Sequence, residues 1–371
     1  MIEKDEINCY GAVPQKLKDS IPISNYTNAL VSKIVCGNSH CLILFTDSTL
    51  YGFGGNEEGQ LGINITGEEQ KYIHDITQIN FTVPGIDNFT IEDIAAGDTF
   101  SIILIKSNNR THLVKFGISQ ADKYRVNLSN VNVVTLEETN IHDGAQIKKI
   151  SVFGKRKMFL TETNEIYLGG IDFMSSKLDG FINFATIENK INSINLGANH
   201  CIIMDDKKNV YGLGDNTYGE LGPSKLSLNK FTLMQFEQLN SSIAKIACGA
   251  RHTLILLENG ELYCLGDNSE GQCFGYTARI SSPIQVTMDL KERIVDCYCG
   301  YTHNLIVLEN GDVMTWGDSS GGKLGYNEEH FSQTTPKVIF SLKQKCVNKV
   351  CLGFQMSVIT TGKYEPPKIE Q

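Results

Sequence analysis

Short apolar segments recur along the chain with a glycine-containing turn between them. The segment at 33–36 precedes Gly37, and a continuously apolar run at 42–45 follows the turn. A polar turn and a third segment at 50–53 come next. Segments of this length with β-branched and aromatic residues predict strands. Because the second segment is apolar at every position instead of at alternate ones, we expect both of its faces to be buried.

This order of segments repeats seven times and fills the chain. The anchor glycines, 43 to 60 residues apart, are Gly37, Gly97, Gly154, Gly197, Gly249, Gly300 and Gly353. Four copies place a histidine three residues after the glycine, at His40, His200, His252 and His303. Repeats of about fifty residues with a strand buried on both faces favour radial repetition. The sequence therefore predicts an all-β protein, a seven-bladed β-propeller of four-stranded blades.

The two ends of the chain are complementary. Residues 7–11 look like the third strand of a repeat, yet no Gly-x-x-His turn precedes them. The last repeat has the opposite defect, because its strands stop after residue 360. We expect the N-terminal strands to close the last blade, which would remove two exposed sheet edges. The predicted organisation is a single propeller over 1–362 and a short C-terminal tail over 363–371.

A glycine-rich tail follows the third strand in four repeats. It reads Gly-Gly-Asn-Glu-Glu-Gly-Gln-Leu-Gly at 54–62, and related tails occupy 214–222, 266–272 and 317–325. A Cys-Gly-x-x-His turn, an apolar strand and such a tail resemble the repeats of the regulator of chromosome condensation family. The resemblance covers essentially the whole chain. Four repeats match strongly, whereas those around Gly97, Gly154 and Gly353 are supported by their spacing.

Charge and composition exclude several classes of protein. With 33 basic and 42 acidic residues the net charge is −9, which argues against direct nucleic-acid binding. No apolar run approaches the roughly 18 residues of a membrane span, and no secretory signal is visible. Eleven cysteines in a chain of this size do not indicate a disulfide framework, and we expect all of them to be free thiols. These features predict a cytoplasmic or nuclear protein.

Three repeats contain a Cys-x-x-x-His spacing that zinc could use, for example Cys36 with His40. Each pair belongs to a different blade, however, so four ligands would not converge on one point. The glycine-rich tails are not followed by the amphipathic helix of a phosphate-binding loop. No catalytic residue stands out. We therefore predict no metal, no cofactor and no covalent catalysis.

What remains is recognition by loops that a rigid scaffold displays. The predicted function is a protein–protein interaction propeller, acting as a scaffold or regulatory subunit through the loop faces of the disc. The seven glycine turns should share one face around the channel. The predicted partner-binding residues are Asn38, His40, Asp98, Asn199, His200, Arg251, His252, Tyr301 and His303. The alternative is that these are ordinary polar turn residues that pack the ring.

The resemblance implies a second function, guanine-nucleotide exchange on a Ran-like small GTPase. Residues that support exchange in the family occupy these turn positions, which Asp98, His40, His252 and His303 match, whereas Phe100, Lys157 and Met356 depart from the pattern. In the exchange-factor branch a hairpin that wedges against the GTPase grows from the second repeat. The matching segment would supply Gln120, Asp122, Lys123, Tyr124 and Arg125, although simple divergence also explains it. The light-sensing branch of the family uses a tryptophan cluster, and this chain has one tryptophan, Trp316.

Overall fold

A computed structural model gives the fold of the chain. It describes residues 5–65, 67–117, 134–136, 145–170, 182–183, 187–274, 277–287, 290, 292–326, 332–343 and 345–363. In these ranges the secondary structure consists of 28 β-strands and short 3-10 turns, and no α-helix occurs. The 3-10 turns are Gln15–Leu17, Ile23–Asn25, Glu68–Gln70, Ser320–Gly322 and Phe340–Leu342.

The strands form seven four-stranded antiparallel sheets, and each sheet is one blade. Blades one to three contain β3 (Val31–Cys36), β4 (His40–Phe45), β5 (Leu50–Gly55), β6 (Tyr72–Gln78), β7 (Thr90–Ala96), β8 (Phe100–Ser107), β9 (Arg110–Gly117), β10 (Val134–Leu136), β11 (Ile147–Phe153), β12 (Arg156–Thr161), β13 (Ile166–Gly169) and β14 (Ile182–Asn183). Blades four to six contain β15 (Ile191–Leu196), β16 (His200–Asp205), β17 (Val210–Asp215), β18 (Ser227–Leu233), β19 (Ile243–Cys248), β20 (His252–Leu257), β21 (Leu262–Asp267), β22 (Arg279–Gln285), β23 (Ile294–Cys299), β24 (His303–Leu308), β25 (Val313–Asp318) and β26 (Ser332–Val338). Blade seven contains β27 (Lys345–Leu352), β28 (Met356–Lys363), β1 (Glu6–Gly11) and β2 (Ile21–Pro22).

The first strands of the blades line the central channel. Each of them contacts the first strand of the next blade, and β27 contacts β3, so that the contacts run around the whole ring. Every first strand carries a β-bulge near its start, which strengthens the local twist. The architecture is the seven-bladed all-β propeller that the repeat pattern predicts.

The N-terminal strands close the ring. β1 pairs antiparallel with β28, with Glu6 opposite Thr361 and Gly11 opposite Met356, and β2 pairs with the outer edge of β1. The seventh blade therefore takes two strands from each end of the chain, and the prediction about its closure is confirmed. Of the predicted tail, 363–371, only Lys363 falls within the described residues, where it ends β28.

The second strands form the core because each lies between two neighbouring blades. β4 places Cys41, Ile43 and Phe45 in the hydrophobic cluster shared with the seventh blade. It places Leu42 and Leu44 in the cluster shared with the second blade. All five side chains are at most 2% exposed. Alternate residues thus enter different cores, which explains why this strand is apolar at every position.

A buried asparagine organises three of the glycine-rich tails. The Asn56 amide nitrogen donates to two carbonyl oxygens of its loop at 2.9 and 2.8 Å, and its oxygen accepts from the Leu61 N–H at 3.0 Å. Asn216 and Asn268 make the equivalent bonds. The tails are structural loops that connect the third strand of a blade to the fourth.

Candidate interaction face and buried histidine relays

The seven glycine turns lie together at one mouth of the channel, where backbone hydrogen bonds join them. In one turn, for example, the Asp98 N–H donates to the carbonyl oxygen of Gly154 in the next blade at 2.8 Å. Equivalent bonds run from Asn38 to Gly97, Ala198 to Ala250, Ala250 to Tyr301, Tyr301 to Gly353 and Phe354 to Gly37. We call the surface formed by these turns the turn face. Its backbone is rigid because each turn is fixed by its neighbours.

The junction between the third and fourth blades is joined by the side chain of Arg156. Among the described turns, it is the one junction without a backbone hydrogen bond from turn to turn. Phe153 pairs directly with Arg156, which leaves a two-residue turn with Gly154 at a φ of 60°. The Arg156 guanidinium donates from Nε to the Ala198 carbonyl oxygen and from Nη2 to Asn199 Oδ1, the latter at 2.9 Å. A buried side chain therefore replaces the backbone link, and the ring of turns is closed.

His40 lies beneath the turn face in a hydrogen-bonded relay between two blades. Its Nε2 is 2.8 Å from the hydroxyl oxygen of Ser101 in β8 of the next blade. Ser101 in turn donates to the carbonyl oxygen of Gln60, in the tail of the first blade, at 2.8 Å. The relay thus leaves the first blade and returns to it. Both the imidazole and the hydroxyl are fully buried.

Three more relays have the same form. They run from His200 through Thr253 to the Glu220 carbonyl (3.3 and 2.9 Å), from His252 through Asn304 to that of Gln272 (2.7 and 2.8 Å), and from His303 through Ser357 to that of Lys323 (3.0 and 2.7 Å). All four histidine side chains have no exposed surface. The sequence-based placement of these histidines on a partner-binding surface is therefore wrong, because the imidazoles are used inside the blade junctions. The residues corrected in this way are His40, His200, His252 and His303.

The hydrogen bonds determine which nitrogen carries the proton. Ser101 uses its one hydroxyl proton toward Gln60, so its oxygen accepts from the Nε2–H of His40. The amide of Asn304 imposes the same tautomer on His252, because its nitrogen donates elsewhere and its oxygen is left to accept. Within the described structure, Nδ1 of each relay histidine has no hydrogen-bond partner. Each ring is therefore a neutral imidazole that donates through Nε2.

Burial keeps the rings neutral. It lowers the pKa of His40, His200 and His303 to about 3 and the pKa of His252 to about 4, because an imidazolium would be desolvated there. The hydrogen bond to Asn304 acts in the opposite direction on His252 and is the smaller effect. Rings without exposure and with such low pKa values cannot serve as general bases for a substrate at the surface.

The relay explains the repeats that depart from the pattern. The acceptor stands immediately after the histidine position of the next blade, at Ser101, Thr253, Asn304 and Ser357. Three blades have Phe100, Lys157 and Met356 in place of a histidine. The next blades then have Met158, Cys201 and Cys41 at the acceptor position. Histidine and acceptor are therefore present together or absent together at all seven junctions, so the weak repeats are compensated variants.

The anchor glycine is required because the imidazole packs on it. A Cβ atom on Gly249 would lie 2.0 Å from His252 Cε1, and one on Gly197 would lie 2.2 Å from His200 Cε1. Contacts this short are sterically forbidden. The Gly-x-x-His motif is thus one packing unit that serves the blade junction.

The rest of the predicted site lies on the turn face. Asn38, Asp98, Asn199 and Tyr301 are partly exposed there, and Arg251 is exposed. The Arg251 guanidinium lies 4.9 Å from the ring centroid of Tyr218 and donates to its hydroxyl at 3.1 Å. The structure thus brings together five of the nine predicted residues at one accessible mouth.

Sequence reasoning missed two aromatic neighbours of Tyr301 at the same mouth, Phe153 and Phe354. The rings of Phe153 and Tyr301 stack with centroids 5.8 Å apart, and Phe354 meets Tyr301 edge-on at 4.5 Å. Phe354 could have been found, because it follows the anchor Gly353 as Tyr301 follows Gly300. Phe153 gave no signal, because it ends a first strand where the other blades have a small or aliphatic residue.

These three rings border a cavity of about 220 Å³ at the mouth of the channel. Turns of the first, second, third, sixth and seventh blades line it, and those of the fourth and fifth do not. Asn38 and Asp98 contribute polar groups to its wall. Burial raises the pKa of Asp98, although the nearby Lys155 acts in the opposite direction.

The cysteines do not combine with the histidines into a metal site. The Cys36 N–H donates to Cys351 Sγ at 2.8 Å, while His40 is engaged by Ser101 in the next blade. In the described part of the chain, no three His, Cys, Asp or Glu residues cluster as metal ligands would. The expectation that all eleven cysteines are free is wrong, because Cys264 and Cys273 form a disulfide with Cα atoms 5.2 Å apart. The other nine are free thiols.

The remaining predictions concern the wedge, the tryptophan and membrane spans. The possible wedge, Gln120, Asp122, Lys123, Tyr124 and Arg125, lies outside the described residues. Trp316 is fully buried and donates from Nε1 to the Gln272 carbonyl oxygen at 2.9 Å, which is a structural role. None of the described residues belongs to a helix with the length and hydrophobicity of a membrane-spanning segment.

Comparison with family models identifies the repeats. Models of the regulator of chromosome condensation (RCC1) repeat match residues 31–60, 209–256, 243–272, 259–307 and 294–323. These segments include three strands of the first blade, the last two strands of the fourth, the whole of the fifth and three strands of the sixth.

Two characterised relatives share part of their length with this chain. The ultraviolet-B receptor UVR8 of Arabidopsis thaliana is 24% identical over 323 residues, which are 87% of this chain and 60% of the receptor. The X-linked retinitis pigmentosa GTPase regulator of Homo sapiens is 27% identical over 263 residues, 57% of this chain and 26% of that protein. The chain therefore spans less than two thirds of the length of each of these relatives.

Solved structures share the fold over nearly the whole chain. Prp20p from Saccharomyces cerevisiae superposes with a TM-score of 0.79 at 18% identity, covering 98% of this chain and 93% of that one. Human WBSCR16 gives a TM-score of 0.77 at 15% identity, covering 97% of this chain and 100% of that one. The chain is therefore a seven-bladed propeller in which regulator of chromosome condensation repeats are matched over residues 31–60 and 209–323.

Proposed function

We propose that the protein is an interaction propeller, a scaffold or regulatory subunit that binds a protein partner through the turn face. The observation that carries the proposal is the contrast within each turn between constant buried positions and variable accessible ones. The accessible residue after the anchor glycine takes several chemical types: Asn38, Asp98, Lys155, Ala198, Tyr301 and Phe354 in six blades, whereas the fifth blade has a buried Ala250. Varied side chains on a rigid backbone ring are typical of a recognition surface.

The relatives support a regulatory binding role. Their names describe a receptor and a GTPase regulator, and the structure of Prp20p is described together with its binding to Gsp1p and histones. The net charge of −9 favours a protein partner over direct contact with nucleic acid. We place the function in the cytoplasm or the nucleus, consistent with nine free thiols.

Capture of partners by variants of the turn face tests the proposal. Arg251→Glu changes an exposed residue of this face, whereas Lys207→Glu makes the same charge change beyond the far end of β16, on the opposite face. We expect affinity purification with Arg251→Glu to lose its specific partner by at least about fivefold, because an exposed charge of the turn face is reversed. Lys207→Glu should stay within about twofold of the wild type. Equal loss with both variants, or with neither, would contradict the proposal.

Nucleotide exchange on a Ran-like GTPase is not favoured, because the histidines that match the exchange residues of the family are buried. We expect purified protein to leave the release of labelled GDP from a Ran-type GTPase of the same source at its intrinsic rate. Acceleration by catalytic amounts of the protein, abolished in Asp98→Asn, would establish exchange activity instead. A known exchange factor assayed in parallel confirms that the GTPase is competent.

A further inference from the structure

We propose that the cavity at the turn face receives an arginine side chain of the partner protein. This inference rests on the proposed function and names the chemistry of the contact. The cavity volume, about 220 Å³, is sufficient for one long side chain and too small for a folded element. The cavity also opens at the mouth of the channel, where a partner docked on the turn face would lie.

One wall of the cavity is aromatic. Phe153, Tyr301 and Phe354 come from three different blades and contact one another across the mouth. Phe354 remains 38% exposed, so part of this apolar surface is uncovered in the free protein. A planar guanidinium stacks favourably on aromatic faces and edges, and the aliphatic stem of an arginine covers apolar wall.

The first and second blades contribute acceptor atoms that have no donor partner in the described structure. Asn38 Oδ1 is buried and has no hydrogen-bond partner in the described structure. The carboxylate of Asp98 accepts no hydrogen bond from the described residues, and burial raises its pKa. An unpartnered buried acceptor costs free energy, and a donor-rich guest would remove that cost. Arginine carries five N–H donors in a planar fork and no acceptor.

The other charges near the cavity leave this preference intact. Lys33, at its inner end, is paired with Asp93 at 2.5 Å. Lys323, 6.0 Å from the ring centroid of Phe354, is paired with Asp318 at 2.5 Å. Lys155 lowers the pKa of Asp98 but is outweighed by burial. The protein as a whole carries a net charge of −9, and this charge attracts a basic partner.

Methyl NMR with a small probe tests the inference on the full chain. The protein is labelled on alanine and isoleucine methyl groups and titrated with Nα-acetyl-arginine amide or with the neutral citrulline analogue. We expect saturable shifts at the cavity-lining Ile94, Ala95 and Ala96, and none at Ala198 and Ala250 of the same mouth. Citrulline should bind at least about fivefold more weakly, because it lacks the charge and two of the five N–H donors and carries a carbonyl acceptor in their place.

Two variants of equal charge isolate the pocket. Asp98→Asn should weaken arginine binding at least about tenfold, whereas Glu309→Gln, in the exposed turn after β24 on the opposite face, should stay within about twofold. Melting curves verify that both variants fold. Citrulline binding as tightly as arginine, or Asp98→Asn binding like the wild type, would overturn the inference. Arg251 lies outside the cavity. If the arginine probe does not bind but partner capture still depends on Arg251, the proposed function stands and the arginine contact is refuted.

Discussion

A chain that begins at residue 28 should fail to form a stable propeller. The deletion removes β1 and β2 and exposes the edge of β28. It also removes Ile7, Cys9, Leu17 and Ile23, which are at most 3% exposed in the core between the seventh and first blades. Burying a large aliphatic side chain contributes about 1.5–3 kcal/mol, so this loss approaches the whole stability of a typical domain, about 5–15 kcal/mol. We expect aggregation and no cooperative thermal transition.

A circular permutant is the matched control. It begins at Asn28, joins residue 371 to Met1 and ends at Thr27, so that every residue is kept. Because Glu6 lies opposite Thr361, β1 can follow β28 as the next strand of the same hairpin meander. We expect this permutant to melt cooperatively and to elute as the wild type does. A truncated chain that melts like the full chain would refute closure by the N-terminal strands.

Stability should fall steeply as the pH drops from about 6.5 to about 4. An unfolded histidine takes up its proton near pH 6.5, whereas the relay histidines remain neutral in the folded state down to a pKa of about 3 to 4. The unfolded state therefore binds more protons in this window. Each histidine lowers the free energy of unfolding by about 1.4 kcal/mol for every pH unit of acidification. Four histidines together lower it by about 5 kcal/mol per unit.

Carboxyl groups whose pKa is raised by burial act with the opposite sign, and Glu220 shows the largest such shift. Burial raises the pKa of Glu220 to about 7, so between about pH 7 and 4.5 the folded state holds a proton that the unfolded state has released. This offsets about one histidine, which leaves a net uptake of about three protons on unfolding near pH 5. The measurement is the pH dependence of the free energy of unfolding from urea titrations.

Two single variants separate the titration from the hydrogen bond. His40→Gln keeps an amide donor but removes one titrating group, so the uptake near pH 5 should fall from about three protons to about two. Ser101→Ala removes the acceptor and leaves His40 buried. It should lower stability by about 1–3 kcal/mol with the uptake unchanged. The same uptake in the wild type and in His40→Gln would mean that this histidine is protonated in the folded protein.

The sequence reveals most of the fold because the signals for strands and blades are local. The apolar second strands, the glycine turns and the tails are each readable within a few residues, and their spacing counts the blades. The third-strand pattern at 7–11 even identifies which part of the last blade β1 supplies. Topology follows from such patterns when every repeat buries its surface on the next one.

The environment of the histidines depends on the neighbouring blade, and it was therefore misjudged. A Gly-x-x-His turn does not show whether its ring points toward solvent or into the junction. The decisive residue, such as Ser101 for His40, is about sixty positions away. The sequence does mark this acceptor, because a polar residue stands at the start of an otherwise apolar strand, directly after the histidine position. The cavity could not be predicted, because Phe153 and Tyr301 belong to blades that meet only across the closed ring.

The relays account for the buried positions of each repeat, beneath the accessible turn face. Measuring whether the four relay imidazoles are protonated at about pH 5 tests them most directly. Long-range proton–nitrogen correlations of the ¹⁵N-labelled protein distinguish a neutral ring protonated at Nε2 from an imidazolium. We expect four of the eight histidines to show the neutral Nε2–H form, with their signals assigned by loss in the His40, His200, His252 and His303 glutamine variants. Imidazolium spectra from those four residues in the folded protein would contradict the relays and return the histidines to the surface.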